Sequence, residues 1–433
     1  MAYVQQAKWD VEEQYELMAG ELSEIDDFIM EGEKQPIEDV VEFFKERGHE
    51  FSVYTIDWLK DAVLFVKTKE ETDLDQLKLY SSFMQAQREN AVEVLMIPRS
   101  DLQDVADSVA QEVEHMQEIF MYTTGRCGST VLVNAADVLP SVQGVHLLDV
   151  YNVVADAVLS AHEELPNEDE DEDEDIYRVV RDDDAATALL KNVTTLCNYY
   201  FLKNDPLERS TIMYSLAPDG IVLGNLMAKA RPKAKTAFMY RNGLKFFESH
   251  LRLLLSNDKR HYLNFQKAHK LGRAVFCWEK EYESVTIFGD DPELDNDDEE
   301  RDIKYYIITL WQGTLHRALK LQAQDQENFF HAVINYETLV EKKSMAVQEM
   351  MEKLGIEVDI SDADIEVPLA EVFSTEAQAG SCFSTHPKRE NDEYQPHPDV
   401  WVGEWDRDVF EKVCKSTGWE PSDPDFVFPG TIC

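Results

Sequence analysis

The stretch from Glu118 to Leu132, EIFMYTTGRCGSTVL, constrains the fold of this chain more than any other part of the sequence. Its first residues are mostly apolar or aromatic and predict a buried strand. The strand breaks at Gly125, and the residues from Val131 to Leu139 predict a helix. A strand that turns through two glycines into a helix leaves backbone N–H groups and hydroxyls at the turn, and these favour a bound anion. The prediction is therefore a strand, a phosphate loop and a helix.

The turn also carries the side chains that an anion requires. Arg126 supplies a positive charge, and Ser129 and Thr130 supply hydroxyl donors. It is not a Walker A loop, because no Gly-Lys-Ser/Thr sequence ends it. The structural alternative is a tight turn followed by a capped helix without a ligand.

Two later segments have related features. Residues 235–240 predict another strand, which leads into Arg241-Asn242-Gly243, and Ser249 follows the arginine by eight residues. A third strand, in the segment AVINYETLV at 332–340, precedes a helix and the residues Leu354-Gly355-Ile356. Arg241 is thus a second cation at the predicted end of a strand.

Together, the three segments resemble the sulfotransferase superfamily. In that family an Arg/Lys-Ser-Gly-Thr/Ser-Thr loop holds the 5′ phosphosulfate of the donor PAPS. An Arg-Asn-Pro segment, with a serine eight residues after the arginine, holds the 3′ phosphate. The third segment is similar to the family's strand, Tyr-Glu-Asp-Leu sequence and closing helix, and the resemblance spans roughly residues 115 to 390.

The resemblance implies a set of donor-binding residues. They are Gly125, Arg126, Cys127, Gly128, Ser129, Thr130, Arg241, Ser249, Lys388 and Arg389. Cys127 stands where the family has a serine, and a thiol is a weaker donor than a hydroxyl. Gly243 stands where the family has a proline, which loosens the turn and removes no ligand. Lys388 and Arg389 match by position only, where the family closes a loop over the 3′ phosphate, and a surface loop is the alternative.

The residue that takes the acceptor's proton is less clearly indicated. Many family members carry a lysine and a histidine at the end of the strand before the second phosphate segment, where this sequence has Ile212-Met213-Tyr214-Ser215. Others use a glutamate just after the second strand, at the place of Leu147. His146 and Asp149 are the candidates that remain, with Arg126 neutralising charge at the leaving phosphate. The alternative is an ordinary strand-end histidine and a helix-capping aspartate.

Alternating strands and helices predict an α/β fold, a parallel sheet flanked by helices, with a small α+β extension before it. The predicted strands of the core are 118–123, 142–146, 210–214, 235–240 and 330–335. The predicted units are a helical acidic arm at 1–35, an α+β extension at 36–115, the core at 116–394 and a C-terminal strap at 395–433.

Composition limits the partners. The 433 residues carry a formal net charge of −45, which argues against binding nucleic acid or anionic lipid. Two acidic runs, 167–175 and 290–300, predict solvated loops, although they could also repel anionic acceptors or bind a basic partner or Ca²⁺. No apolar run is long enough to cross a membrane. The six scattered cysteines predict free thiols in the cytoplasm.

These features support a sulfotransferase that moves a sulfuryl group from PAPS to a hydroxyl or amine acceptor, leaves PAP as product and needs no metal. The alternatives are a catalytically impaired module that binds nucleotide or protein, and another phosphotransferase of the P-loop type. The absent Walker A lysine and the lack of a clear Mg²⁺-binding carboxylate pair count against the last. The acceptor, a small molecule or a carbohydrate, and the oligomeric state are left open by the sequence.

Overall fold

The structure is a computed structural model. It describes residues 1–10, 22–70, 72, 83–161, 178–255, 299–324, 329–375, 402 and 404–432. The sequence pattern also predicts a helix at 74–87, and residues 74–82 of it lie outside these ranges. So do both acidic runs up to residue 298, as well as Lys388 and Arg389.

The N-terminal part forms an antiparallel sheet of five strands, in the order β2-β1-β5-β4-β3. Its strands are β1 (Tyr3–Trp9), β2 (Phe28–Pro36), β3 (Ser52–Asp57), β4 (Ala62–Thr68) and β5 (Ala91–Pro98). The helices of this part are α1 (Val40–Arg47), α2 (Phe83–Asn90) and α3 (Arg99–Val113).

The prediction of a helical arm at 1–35 is wrong for the residues that the structure describes there. β1 pairs with β2 on one side and with β5 on the other, with Tyr3 opposite Met96. The first strand therefore belongs to the same sheet as the extension that the sequence placed after residue 36. Pairing with a strand about ninety residues away overrides the local helix propensity of this segment.

The core is a parallel sheet of five strands in the order β10-β9-β6-β8-β7, as the alternating sequence pattern predicted. Its strands are β6 (Gln117–Thr123), β7 (Val142–His146), β8 (Thr211–Ser215), β9 (Lys235–Tyr240) and β10 (Ala332–Asn335). Each of the five lies at a predicted position, within a residue or two at its ends.

Helices cover both faces of this sheet. They are α4 (Ser129–Asp137), α5 (Val150–Ser160), α6 (Arg178–Arg181), α7 (Asp183–Asn204), α8 (Gly224–Ala230), α9 (Gly243–Leu255), α10 (Glu299–Gln324), α11 (Tyr336–Lys342), α12 (Ser344–Lys353), α13 (Ala363–Ser374) and α14 (Glu404–Thr417). A 3₁₀ helix, Pro218–Leu223, precedes α8. Lys343 has a φ of +51° and separates α11 from α12. The sequence pattern predicts a single helix at 337–354 instead.

The central strand β6 is buried on both sides. Phe120 and Tyr122 pack in one hydrophobic cluster, which continues through α3 and α7 to the N-terminal sheet. Ile119 and Met121 point to the other face and pack in a second cluster with residues of α4, α12 and α13. Strands buried on both faces are typical of parallel sheets, and β6 brings the glycine loop to the carboxyl edge where such sheets bind ligands.

The C-terminal residues close the edge of this sheet. The Ile432 N–H donates to the Val333 carbonyl of β10 over 2.9 Å. Gln312 of α10 donates its amide to the carbonyls of Cys414, Trp419 and Pro421. The segment after α14 is thereby fixed over the core, in the place where the sequence predicted a strap.

Candidate phosphate-binding site

The loop after β6 has a backbone that only a glycine-rich sequence adopts easily. Gly125, Arg126 and Gly128 have φ angles of +74°, +48° and +86°. Left-handed residues within a tight turn direct successive N–H groups into one concave surface, which favours an anion. Arg126 is not a glycine, so its conformation is strained, and such strain is concentrated at functional sites. α4 begins directly after Gly128, and its first N–H groups have no acceptor within the helix.

Close contacts also require both glycines. A Cβ atom at Gly128 would lie 2.8 Å from Cδ2 of Tyr336, and one at Gly125 would lie 2.9 Å from Cγ of Pro218. Tyr336 begins α11, whose N-terminus is capped by Asn335 Oδ1 accepting from the Thr338 N–H over 2.8 Å. The loop is therefore packed between two fixed elements.

Arg241 lies against this loop from the end of β9. Its Nη1 donates to the Arg126 carbonyl over 3.1 Å, and its guanidinium carbon lies 4.1 Å from the centre of the Tyr336 ring. Trp311 Nε1 donates to the Arg241 carbonyl over 2.9 Å and fixes the backbone. Arg241 Nε is buried and bonds to none of the described residues. Buried charged donors are almost always paired, so this atom marks a position where an anion fits.

The two predicted phosphate segments meet at Ser249. Asn242 caps α9 by accepting from the N–H groups of Leu244 and Lys245, and Ser249 lies on this helix. Arg126 Nε donates to Ser249 Oγ over 3.2 Å, although the two residues are 123 positions apart. The structure thus brings Gly125 to Thr130, Arg241 and Ser249 into one site.

The pKa of His250 is affected by the positive charges of this site. Burial lowers the pKa of His250 to about 3, and the nearby positive charges of Arg126 and Arg241 lower it as well. A hydrogen bond with the Phe246 carbonyl acts in the opposite direction and only partly offsets these effects. The imidazole is therefore neutral at physiological pH. In a chain with a net charge of −45, two arginines in contact form the local basic pocket that an anionic ligand needs.

His146 ends β7 and contacts the same loop. Its Nε2 lies 3.0 Å from the Thr130 Oγ1, and both side chains are buried. This bond links the histidine to the first turn of α4. The proposed catalytic role of His146 stays a prediction, and the geometry supports a role in orienting the Thr130 hydroxyl.

Asp149 has a different environment. Its carboxylate accepts from the backbone N–H of Ser23 over 2.5 Å and from Asn152 Nδ2 over 2.7 Å. It makes no side-chain bond that caps α5, so the predicted helix cap is absent. Burial raises the pKa of Asp149. The bond to Ser23 ties the N-terminal part of the chain to the core, and a catalytic role for Asp149 stays a prediction that none of these contacts supports.

Cys127 contributes to the loop through its backbone. Its side chain is buried in the second hydrophobic cluster beneath the loop, and burial raises the pKa of the thiol to about 11. The thiol is therefore protonated and does not face a ligand.

Sequence reasoning missed three residues near the site: Tyr336, Trp311 and Asp219. The first two act on Arg241 through contacts between segments distant in sequence, and nothing local predicts such contacts. Asp219 follows Pro218, which packs against Gly125. Burial and the charge of Asp156 raise the pKa of Asp219 to about 7. A carboxylate four residues after the end of β8, at the ligand-binding edge of the sheet, was the available signal.

Comparison with models of known protein families gives no match, and comparison with curated proteins gives none either. Solved structures similar to this chain include a sulfotransferase domain from the curacin biosynthetic pathway, with 12% identity over 70% of this chain and 98% of that chain and a TM-score of 0.35. Another is a sulfotransferase domain from the Synechococcus PCC 7002 olefin synthase, with 11% identity over 70% and 95% of the two chains and a TM-score of 0.32.

A third is sulfotransferase STF1 from Mycobacterium tuberculosis H37Rv, with 13% identity over 64% of this chain and 82% of that chain and a TM-score of 0.34. All three are sulfotransferases, the family that the sequence resembles. At these identities the likeness concerns the fold, and TM-scores below 0.5 carry no argument about activity. Among the residues that the structure describes, no helix has the length and apolar composition of a membrane span.

Proposed function

We propose that this protein is a sulfotransferase that moves a sulfuryl group from PAPS to a hydroxyl or amine acceptor. The observation that carries the proposal is the bond from Arg126 to Ser249, together with the contact of Arg241 with the Arg126 carbonyl. These contacts join the two segments that the family uses for the two ends of the donor. A turn with no ligand would not require two arginines and a serine from three elements to meet.

The residues fit a donor with phosphate groups at both ends. The unpartnered Nε of Arg241 and the hydroxyl of Ser249 suit a 3′ phosphate. The loop N–H groups and the hydroxyls of Ser129 and Thr130 suit a 5′ phosphosulfate. When bound, PAPS supplies an activated sulfuryl group on a phosphate that leaves with the bond electrons.

Arg126 lies between the two ends. A guanidinium has five N–H donors, so Arg126 can donate to Ser249 and to a phosphate at once. Its charge would offset the negative charge that develops on the leaving phosphate. His146 would hold the Thr130 hydroxyl in the orientation that donates to the same group. Lys388 and Arg389 are proposed to cover the 3′ phosphate, and they lie outside the described residues.

One observation bears on the alternative of an impaired module. Tyr214 lies in the strand that ends in a lysine and a histidine in many family members. Its side chain is buried, and its hydroxyl donates to Asn198 Oδ1 over 2.7 Å. This strand therefore directs no base at an acceptor, and any base comes from another element.

The first experiment is calorimetric titration of the purified protein with PAP, with ATP as the control ligand. Binding of PAP without binding of ATP supports the donor site. Arg241→Ala is expected to weaken PAP binding, whereas Arg252→Ala on the same helix as Ser249, where Arg252 pairs with Glu248, should leave it within twofold. Equal PAP affinity in the wild type and Arg241→Ala, or no PAP binding at all, would refute the proposal.

Release of PAP from PAPS, measured with candidate acceptors, separates an enzyme from a binding module. Insensitivity of that release to EDTA would count against a Mg²⁺-dependent phosphotransferase. We also propose a reducing compartment, such as the cytoplasm. The described cysteines Cys127, Cys197 and Cys414 are free and buried, which agrees with that location.

A further inference from the structure

The carboxyl end of β8 lies between those of β6 and β7 at the carboxyl edge of the parallel sheet. β8 pairs with β6 on one side and with β7 on the other. After the strand, the Leu216 N–H donates to the Met121 carbonyl, and Thr123 Oγ1 donates to the Leu216 carbonyl. The chain that leaves β8 is therefore held beside the phosphate loop of β6, and on its other side lies the end of β7.

The 3₁₀ helix that follows places a carboxylate at this edge. Its first residue, Pro218, is the side chain that a Cβ at Gly125 would meet at 2.9 Å. Asp219 is the next residue of this 3₁₀ helix. In open parallel sheets, substrates bind in the crevice outside the carboxyl ends of the strands. Asp219 therefore lies in the segment that follows β8 at this edge, next to the residue that packs against the predicted phosphate loop.

The carboxylate of Asp219 is also available. It is half-buried, and no hydrogen bond or ion pair with the described residues engages it. The other acidic candidate, Asp149, already accepts from Ser23 and Asn152. His146 is already bonded to Thr130. Of these three groups, Asp219 is the one without a structural bond.

Charges around Asp219 come from four elements, because the 3₁₀ helix packs against β6, α5, α8 and α10. Their described ionisable side chains are Glu118 and Tyr122 of β6, Tyr151 and Asp156 of α5, Lys229 of α8, and His316, Arg317 and Lys320 of α10. Asp156 is the one whose charge acts on Asp219. Glu118 pairs with Arg231 and Lys229 pairs with Asp183. With burial, the charge of Asp156 raises the pKa of Asp219 to about 7, which suits a group that exchanges a proton at neutral pH.

We propose that Asp219 is the catalytic residue that accepts the acceptor's proton, an inference that rests on the proposed sulfotransferase function. The acceptor oxygen forms a bond to the sulfur of PAPS, and the bond from that sulfur to the bridging oxygen of the 5′ phosphate breaks. The electron pair of the broken bond leaves with PAP, and the proton of the acceptor hydroxyl passes to the Asp219 carboxylate. Asp219 then returns the proton to solvent, so that no other reactant is required.

The test compares Asp219→Asn with the wild type and with Asp107→Asn, an exposed aspartate of α3. PAP affinity is measured by calorimetry, and PAP release from PAPS is measured with water, phenol and ethanol as acceptors across pH 5.5–9. Asp219→Asn should bind PAP within threefold of wild type and lose about 10²- to 10⁴-fold in turnover, the range for general base catalysis. Asp107→Asn should match the wild type in both.

The pH profile separates a proton acceptor from a structural residue. The turnover of the wild type should decrease as the pH is lowered below about 7, because the Asp219 carboxylate becomes protonated there. Asp219→Asn should lack this acidic limb. Asp156→Asn should keep the turnover at high pH and move the limb to lower pH, because the nearby negative charge is removed.

The outcomes distinguish this inference from the proposed function. No PAP binding by the wild type would overturn both. PAP binding with wild-type turnover in Asp219→Asn would overturn only the inference, and so would loss of PAP affinity in that variant. A wild type that binds PAP and releases none from PAPS with any of the three acceptors would overturn the inference in favour of a binding module.

Discussion

Asp219→Asn should flatten the pH dependence of stability, whether or not the protein is an enzyme. The pKa of Asp219 is raised from 3.8 to about 7 in the folded protein. Between these two values the folded state holds a proton that the unfolded state has released. Because the folded state binds more protons, stability falls as the pH rises through this interval. Asparagine cannot titrate, so this part of the decline should be absent from the variant.

The magnitude follows from the difference in pKa. About three pH units, at about 1.36 kcal/mol each, give about 4 kcal/mol as the full contribution of Asp219 to the decline. Solvent around a half-buried carboxylate reduces this figure. From pH 4 to pH 8 the free energy of unfolding of the wild type should therefore fall by about 2–4 kcal/mol more than that of Asp219→Asn. The contribution is fully present below pH 3.8 and lost above about pH 7.

Urea unfolding at several pH values between 4 and 8 measures this difference. Wild type and Asp219→Asn are compared at each pH, so that titrating groups distant from Asp219 cancel. Asp107→Asn, on the exposed face of α3, should follow the wild-type curve. If the free energies of unfolding of the wild type and Asp219→Asn run parallel from pH 4 to pH 8, the pKa of Asp219 is not raised in the folded protein.

Arg126→Ala and Arg241→Ala should each weaken PAP binding by about 1.5–3 kcal/mol, the range for hydrogen bonds to charged groups, or about 10- to 150-fold in Kd by calorimetry. Unchanged affinity in both variants would refute the site. Gly128→Ala should lower the free energy of unfolding by about 1–2 kcal/mol for its left-handed backbone and also weaken PAP binding, because its Cβ displaces Tyr336 from Arg241. Gly355 serves as the control, because it has a similar φ of +83° and a Cβ there would meet no atom within 4 Å. Gly355→Ala should therefore lose stability and keep its PAP affinity. Equal losses of PAP affinity in the two variants would show that contact with Tyr336 is not the cause. His146→Ala should lower turnover more than PAP affinity in PAP-release and calorimetric assays, and full activity would assign the orientation of Thr130 to another group.

The parallel sheet and the phosphate loop were predictable because their signals are local. The apolar run before Gly125 and the glycines after it specify a strand and a left-handed turn within a dozen residues. The spacing from Arg241 to Ser249 likewise lies within one helix and its cap. Such features depend on neighbours in sequence, which a sequence displays directly.

The features that were missed depend on distant partners. The segment Tyr3–Trp9 becomes a strand because β5 pairs with it, and Asp149 accepts from Ser23, which is 126 residues away. The pKa of Asp219 depends on burial and on Asp156, which belongs to another helix. The stacking of Tyr336 on Arg241 joins residues of two strand ends. Sequence periodicity contains no information on which of these segments meet.

The position of β1 in the N-terminal sheet has a consequence for the order of folding. Because β1 lies between β2 and β5, it has one of its two neighbours only after residue 98 has been synthesised. Until then β1 and β2 can form no more than an isolated two-stranded ribbon, which is marginally stable in water. Nascent chains of this protein should therefore expose an unpaired strand edge through the synthesis of about ninety residues, which makes this interval an aggregation-prone step of its biogenesis.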